Sequence, residues 1–380
     1  TRGRARLLAE MLRGEVIRDG WQSEEVREAL DLCLACKGCR SDCPTHTDMA
    51  AYKAEFLHHH YLGRLRPVQA YTMGLVSRWA RLAAIAPRLV NLLTHTPGLS
   101  TLLKFTAGIA RQRSIPKFAR RSFRRWFLGR RAAAPDKAPR GRVILWADTF
   151  NNHFQPGSAA AAVEVLEALG FEVMLPRRQL CCGRPLYDFG MLDAARGQLR
   201  EILDVLGDDI RAGVPVVGLE PACLSVFRDE LLNFFPDDPL ARRLSAQVRL
   251  FSDFLMAIPD WDAPQLGGEA LVHGHCHQKS VFGMAAEMAL LKRLGIRART
   301  VETGCCGMAG AFGFNARHYD ISVKAAESAL LPAVRAASEN TMIVASGYSC
   351  REQIAQLSDR DALHVAEVVA LALNRARSAA

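Results

Sequence analysis

Residues 33–44 read CLACKGCRSDCP: four cysteines in twelve residues, spaced C-x2-C-x2-C-x3-C, with a proline directly after the fourth. A chain that places four thiols this closely has its local structure dictated by what they hold. Two-residue gaps let one loop aim three thiols at a single small body. Thiolates are soft ligands that select iron–sulfur clusters, zinc or copper(I). Zinc knuckles favour two separated C-x2-C pairs, whereas this run matches the spacing that holds 4Fe–4S clusters.

In two-cluster ferredoxins the cysteine before the proline ligates the other cluster. On that pattern Cys33, Cys36 and Cys39 hold three corners of one cluster and Cys43 one corner of a second. The alternative, one cluster closed by all four, stays open. The sequence holds no second triplet, and it starts at Thr1 within the helical string TRGRARLL, so a fragment of a longer polypeptide is expected.

Eleven cysteines is an odd number, and no short apolar signal run follows the basic N-terminus. Metal or redox chemistry is therefore a better use of these thiols than disulfides, and a cytoplasmic location is expected. With 380 residues, the chain is expected to form more than one domain. The net charge of +10 is concentrated: residues 111–142 carry twelve Lys/Arg against one acid, Asp136. This stretch contains prolines and reads as a solvated linker. Phe118, Phe123, Trp126 and Phe127 interleave with its arginines, which leaves open a peripheral contact with an anionic membrane, on its inner face. A nucleic-acid partner is not expected.

Residues 1–30 are predicted as helix, and 47–110 as helical with breaks near Pro67, Pro87 and Pro97. Arg78, Arg81 and Arg88 interrupt the apolar runs, so no segment reaches the roughly 18 residues of a spanning helix. His58, His59 and His60 read as a solvated helix face. From Arg142 onward, short apolar strands (RVILWADTF, FEVMLP, VPVVGLE) alternate with Ala-rich helices, the texture of parallel βαβ units. The pattern then repeats. Cys181-Cys182-Gly183 recurs as Cys305-Cys306-Gly307, 124 residues later, and Cys223 recurs as Cys350, 127 later. Cys276 aligns with Phe150, an offset of 126. Each special residue follows a strand, at the carboxyl edge of a parallel sheet.

The second half thus has four thiols that fit one 4Fe–4S cluster, Cys276, Cys305, Cys306 and Cys350, with buried or redox thiols as the alternative. The first keeps Cys181, Cys182 and Cys223, which are additional cluster ligands, redox thiols or vestiges. His273, His275, His277 and Lys279 flank Cys276; each histidine is expected to be a satisfied strand-end residue, with tuning of a cluster as the alternative.

Together, CLACKGCRSDCP, the two CCG modules, HGHCHQKS, GCCGMAGAFG and SGYSCREQ resemble the C-terminal iron–sulfur part of FAD-linked D-2-hydroxyacid dehydrogenases of the D-lactate, glycolate and D-2-hydroxyglutarate type, and are related to the cysteine-rich component of heterodisulfide reductase. The resemblance implies an α/β chain. A helical ferredoxin-type domain (1–60) leads through a helical segment and basic linker (61–141) to two Rossmann-like cysteine-rich CCG repeats (142–264 and 265–380). It implies an oxidoreductase in which this part relays electrons from FAD, on an upstream domain or partner subunit, to a quinone or other acceptor. No flavin-binding stretch is found here, and no catalytic residue is assigned. Gly347 and Glu220 stand where the heterodisulfide reductase component has the first cysteine of a C-x2-C. That departure favours relay over the alternative of a thiol–disulfide oxidoreductase. A structural zinc or docking module is the remaining alternative.

Overall fold

Two helices, not one, fill the first thirty residues in the computed structural model, which describes residues 1–130, 139–259, 261–301 and 304–379. Helix Arg2–Arg13 stops at Gly14, whose φ of 71° is left-handed and suits glycine. Helix Glu24–Asp31 restarts from Ser23, whose Oγ accepts from the Val26 backbone N–H at 3.3 Å. Leu8, Met11, Val26 and Leu30 meet Met49 and Phe56 of helix Met49–His60 in a small core, and Cys33 and Cys39 pack against it. His60 departs from the expected solvated face. It is buried against Phe56, with its Nδ1 2.9 Å from the Trp21 carbonyl oxygen. Successive residues of a helix point about 100° apart, so a run of three cannot share one face.

Helices Val68–Thr72, Val76–Ala83, Pro87–His95 and Leu99–Ala107 follow. The break expected near Pro87 falls between Ala83 and Pro87, and Pro87 opens the next helix, since its missing N–H has no partner to lose at that position. The basic segment is not the solvated linker expected. Residues 131–138 lie outside the described residues, but the remainder packs on the body. Phe123 is fully buried and caps a core that Trp126 and Phe127 also join. Arg113 is buried and donates to the Gly313 carbonyl at 2.8 Å and the Ser322 hydroxyl at 2.9 Å. Arg124 donates to the carbonyls of Pro176 and Arg177, both at 2.6 Å. These aromatics face protein, and these arginines satisfy carbonyls at the ends of neighbouring elements.

Two parallel sheets form the rest. Strands β1 (Gly141–Trp146), β2 (Phe171–Met174), β3 (Val216–Gly218) and β4 (Val248–Leu250) lie in the order β2-β1-β3-β4. Strands β5 (Glu269–Val272), β6 (Arg297–Thr300) and β7 (Thr341–Val344) lie in the order β6-β5-β7, with a parallel bridge from Val344 to Leu363 where the first sheet has β4. The second sheet thus repeats the order of the first. Helices Pro156–Ala168 and Val365–Ala379 bring Ala159, Ala162, Ala366 and Ala372 into one core shared by both sheets. Small side chains permit the close approach of their backbones.

Candidate metal centre

In both sheets the chain leaves a strand at its carboxyl end and reaches a cysteine within a few residues. Cys181 and Cys182 follow β2, and Cys223 follows β3 in the first turn of helix Pro221–Arg228. Cys276 follows β5, Cys305 and Cys306 follow β6, and Cys350 follows β7 at the start of helix Tyr348–Leu357. Gly183 (φ 80°) and Gly307 (φ 76°) turn the chain sharply after each Cys-Cys pair, a left-handed conformation open to glycine at no steric cost.

The thiols converge. In the second half the Cys276 and Cys305 sulfurs are 3.9 Å apart. The Sγ atoms of Cys306 and Cys350 and a ring nitrogen of His273 lie within 4.8 Å of one another. In the first half the Cys182 and Cys223 sulfurs are 3.0 Å apart. The Cys276 thiol is pushed well up, foremost by the Cys305 thiol it faces and then by burial. Burial pushes the Cys36 thiol up to about 11, and Cys276, Cys33 and Cys39 add to the rise. Buried thiols facing one another resist ionising together, and a coordinated cation is what makes such groups thiolates. The donor set is soft, so it fits an iron–sulfur cluster or zinc.

The loop at 33–43 docks on the second half. His277 Nε2 lies 3.0 Å from the Ala35 carbonyl oxygen, and the Ser280 hydroxyl donates to the Cys36 carbonyl at 3.4 Å. Cys43 stands apart. Its Sγ is 3.1 Å from Thr45 Oγ1 and 3.6 Å from Thr47 Oγ1, and the Thr45 hydroxyl foremost lowers its thiol to about 6. A cavity of about 670 Å³ runs between the parts. Cys33 and Cys36, Cys181, Cys182 and Cys223, and Cys276 and Cys306 all line it.

Lys37, between Cys36 and Cys39, anchors the cysteine loop. It holds the left-handed conformation (φ 60°) itself, while Gly38 begins a short helix, Gly38–Asp42. Its buried ammonium pairs with Asp48 at 2.8 Å, with Glu230 at 3.0 Å and with Asp229. Glu230 also pairs with Arg184 at 2.7 Å, the residue after Gly183. A second lysine, Lys53, donates to the Cys33 carbonyl at 2.7 Å. The cysteine loop is thus tied by charge to the first half and by His277 to the second.

The two departures from a C-x2-C pattern, at Glu220 and Gly347, have physical causes. Glu220 caps helix Pro221–Arg228, and its Oε2 accepts from the Tyr348 N–H across the halves at 2.8 Å. At Gly347 any Cβ would collide with the His275 ring. Phe150, in the place of a fourth thiol, stacks on Tyr348 at 4.6 Å with the planes 14° apart. His273, His275 and His277 are all buried, and burial lowers each, the first two to about 3, so they are neutral. His275 fits a satisfied role, since its Nδ1 accepts from the His277 N–H at 3.2 Å. His273 does not: among the described residues neither ring nitrogen has a partner, and it sits beside Cys306 and Cys350.

Sequence reasoning missed the Lys37 anchor. Its signal was the pair Asp229-Glu230 six residues beyond Cys223, since adjacent acids at the end of an apolar helix need cations if they are to be buried.

Residues 149–227 match the CCG cysteine-rich domain. Over 358 residues the chain is 28% identical to D-2-hydroxyglutarate dehydrogenase of Escherichia coli (strain K12), covering 90% of this chain and 34% of that protein. It is 26% identical over 293 residues to one component of the anaerobic glycerol-3-phosphate dehydrogenase of the same strain, covering 75% of this chain and 72% of that component. It is 29% identical over 182 residues to lactate utilization protein A of Bacillus thuringiensis (strain Al Hakam), covering 45% of this chain and 74% of that protein. The chain spans about a third of the length of the D-2-hydroxyglutarate dehydrogenases it matches. The thiols gathered at the carboxyl edge of β2 and β3 lie within the segment 149–227 that matches the CCG cysteine-rich domain, and the proteins the chain is similar to include D-2-hydroxyglutarate dehydrogenases.

Proposed function

We propose that this chain is the iron–sulfur electron-transfer portion of an FAD-linked 2-hydroxyacid dehydrogenase, of the D-lactate, glycolate or D-2-hydroxyglutarate type. The observation that carries the reading is the meeting of Cys33 and Cys36 from the N-terminal loop with Cys276 and Cys306 on one cavity. Iron–sulfur clusters, when bound, supply one-electron transfer at potentials set by burial and hydrogen bonds. Cys33, Cys36 and Cys39 hold one such site, and Cys276, Cys305, Cys306 and Cys350 another. Cys43 serves a separate site, in keeping with its own threonine partners. Cys181, Cys182 and Cys223 are a further thiol set. Lys37, Lys53 and His277 hold the loop against both halves. FAD belongs to an upstream domain or a partner subunit, and the acceptor is a quinone or another oxidant.

The corresponding strand orders support two Rossmann-like CCG repeats, 142–264 and 265–380, behind a helical ferredoxin-type domain at 1–60 and a connecting segment at 61–141. No helix among the described residues is long and apolar enough to cross a membrane. A cytoplasmic chain with at most peripheral membrane contact accords with this reading.

One observation favours a second reading. His273 with Cys306 and Cys350 is also a donor set for zinc, as a structural or docking centre. Iron, zinc and acid-labile sulfide per chain, measured after anaerobic purification together with EPR of the reduced sample, separate the two. Iron with matching sulfide and a reduced-cluster signal, both diminished by Cys350→Ser, is the expected result. Zinc without sulfide would sink the relay.

A further inference from the structure

Twelve of the nineteen large apolar side chains exposed among the described residues fall between Leu62 and Phe105. Trp79 is 50% exposed, Ile85 80% and Phe105 81%. On three consecutive helices they recur three residues apart: Trp79 and Leu82 on Val76–Ala83, Leu89 and Leu92 on Pro87–His95, and Leu102 and Phe105 on Leu99–Ala107. That spacing sets each pair on one face of its helix. The last two helices have no buried residue at all. Single exposed apolar residues are ordinary on any protein, but a continuous set of them marks a surface that meets something.

These helices are fastened to the body by polar groups. Asn91 donates from Nδ2 to the Phe118 carbonyl at 2.7 Å and accepts from the Phe118 N–H at 2.8 Å. Gln69 donates to the Gly108 carbonyl at 3.1 Å. The indole N–H of Trp79 donates to the Tyr71 carbonyl at 2.8 Å, so the ring has no polar need left to meet. The leucines are thus left outward, which costs free energy in water unless something covers them. The charge beside them has one sign. Between Glu55 and Asp136 the chain contains no acidic residue at all. Arg64, Arg78 and Arg88 are exposed and pair with no carboxylate among the described residues. A second copy of the chain would bring the same cations against them, so the covering surface is one that is apolar and anionic together. An anionic bilayer interface is both, and it takes helices that carry arginine beside leucine, tryptophan and phenylalanine. With eight or nine residues, and so about 13 Å of length, each helix lies in such an interface rather than crossing it.

We propose that the face carrying Trp79, Leu82, Ile85, Leu89, Leu92 and Phe105 docks on an anionic phospholipid surface, with Arg78 and Arg88 at the headgroups. This face is distinct from the basic connector, whose Phe123, Trp126 and Phe127 turn into the core. The inference goes beyond the electron-relay reading and does not depend on it, since the face is the same whatever metal the thiols take.

The test is co-sedimentation of the full chain with vesicles of phosphatidylcholine, alone or mixed with phosphatidylglycerol, at low and high salt. Binding to the mixed vesicles, weakened by salt, is expected. Phe105→Ser should weaken it about tenfold, the scale of burying one large apolar side chain. Arg88→Gln should weaken it about fivefold, the scale of one cation at a charged surface. Both positions are exposed, so the fold tolerates both changes. Tryptophan emission should shift to the blue when the mixed vesicles are added, and Trp79→Phe should remove most of that shift. No binding overturns the inference. Binding that responds to salt and to Arg88→Gln but not to Phe105→Ser is adsorption by charge alone and overturns it too. A dimer that Phe105→Ser dissociates, with no vesicle binding, assigns the face to a second copy and likewise overturns it. None of these failures touches the relay, which iron and sulfide test separately.

Discussion

The ring of His275 occupies the space that a side chain at Gly347 would need. Gly347 has φ −82° and ψ 132°, an extended conformation that any residue adopts, so the requirement for glycine there is purely steric. Gly347→Ala should therefore cost about 1–3 kcal/mol, as overpacking of a filled interior does. His275→Ala should recover part of that loss in the double variant. Denaturant midpoints of the four proteins in the cycle decide it, and a Gly347→Ala protein as stable as the parent would refute the steric account.

Glu220 joins the halves through one acceptor. Its carboxylate receives the Ala222 N–H at 3.3 Å and the Tyr348 N–H at 2.8 Å, and it is buried. Glu220→Ala leaves the Tyr348 donor unpaired, at a cost of about 1–3 kcal/mol. Glu220→Gln keeps one acceptor oxygen and should cost less. Equal losses for the two substitutions would show that the interhalf hydrogen bond is not what Glu220 provides.

Lys37 faces Asp48, Asp229 and Glu230 in the interior. Lys37→Met leaves those carboxylates without their shared cation and should cost about 3–5 kcal/mol. Because the lysine anchors the cysteine loop, limited proteolysis should also cut the variant within 33–43 sooner than the parent. A stable variant with an equally protected loop would mean that Arg40, which pairs with Asp229, and Arg184, which pairs with Glu230, suffice for the acids.

His364 carries a pH dependence. Its Nε2 lies 3.0 Å from the Leu219 carbonyl oxygen, and its Nδ1 accepts from Ala366 N–H at 3.0 Å at the start of the last helix. Burial lowers its folded-state value from the usual 6.5 to about 3. Between those two values the unfolded chain takes up a proton that the folded chain refuses. Its contribution to stability is thus unimpaired above pH 6.5 and falls as pH drops toward 3. The thermal midpoint should decline over that window, and less steeply in His364→Asn, which retains an acceptor for Ala366. Parallel declines in the two proteins would remove His364 as a source.

How much of this was legible depends on the range of the interactions. The cysteine spacing, the two Cys-Cys-Gly modules and the strand-helix alternation are local patterns, and they placed the strands of RVILWADTF, FEVMLP and VPVVGLE, the repeat of that pattern, and every thiol at a strand end or in the loop. The three-residue strand β4 and the bridge at Leu363 were not seen, because Val248-Arg249-Leu250 is too short to show a period. The basic segment was misread for a different reason. A run of arginines looks solvated in sequence, yet Arg113 and Arg124 point into carbonyl clusters supplied by residues more than fifty positions away.

By itself, then, the sequence determined which atoms are available for chemistry: eleven thiols, their spacing, and the repeat that sets them at two sheet edges. Only the tertiary structure decided which of them meet. Cys36 comes to Cys276 because Lys37 finds its acids near Cys223 and His277 finds the Ala35 carbonyl. Those partners are separated by nearly two hundred residues or more. Burying a charge or a donor is costly until its partner arrives, so such contacts form only when the whole chain has folded.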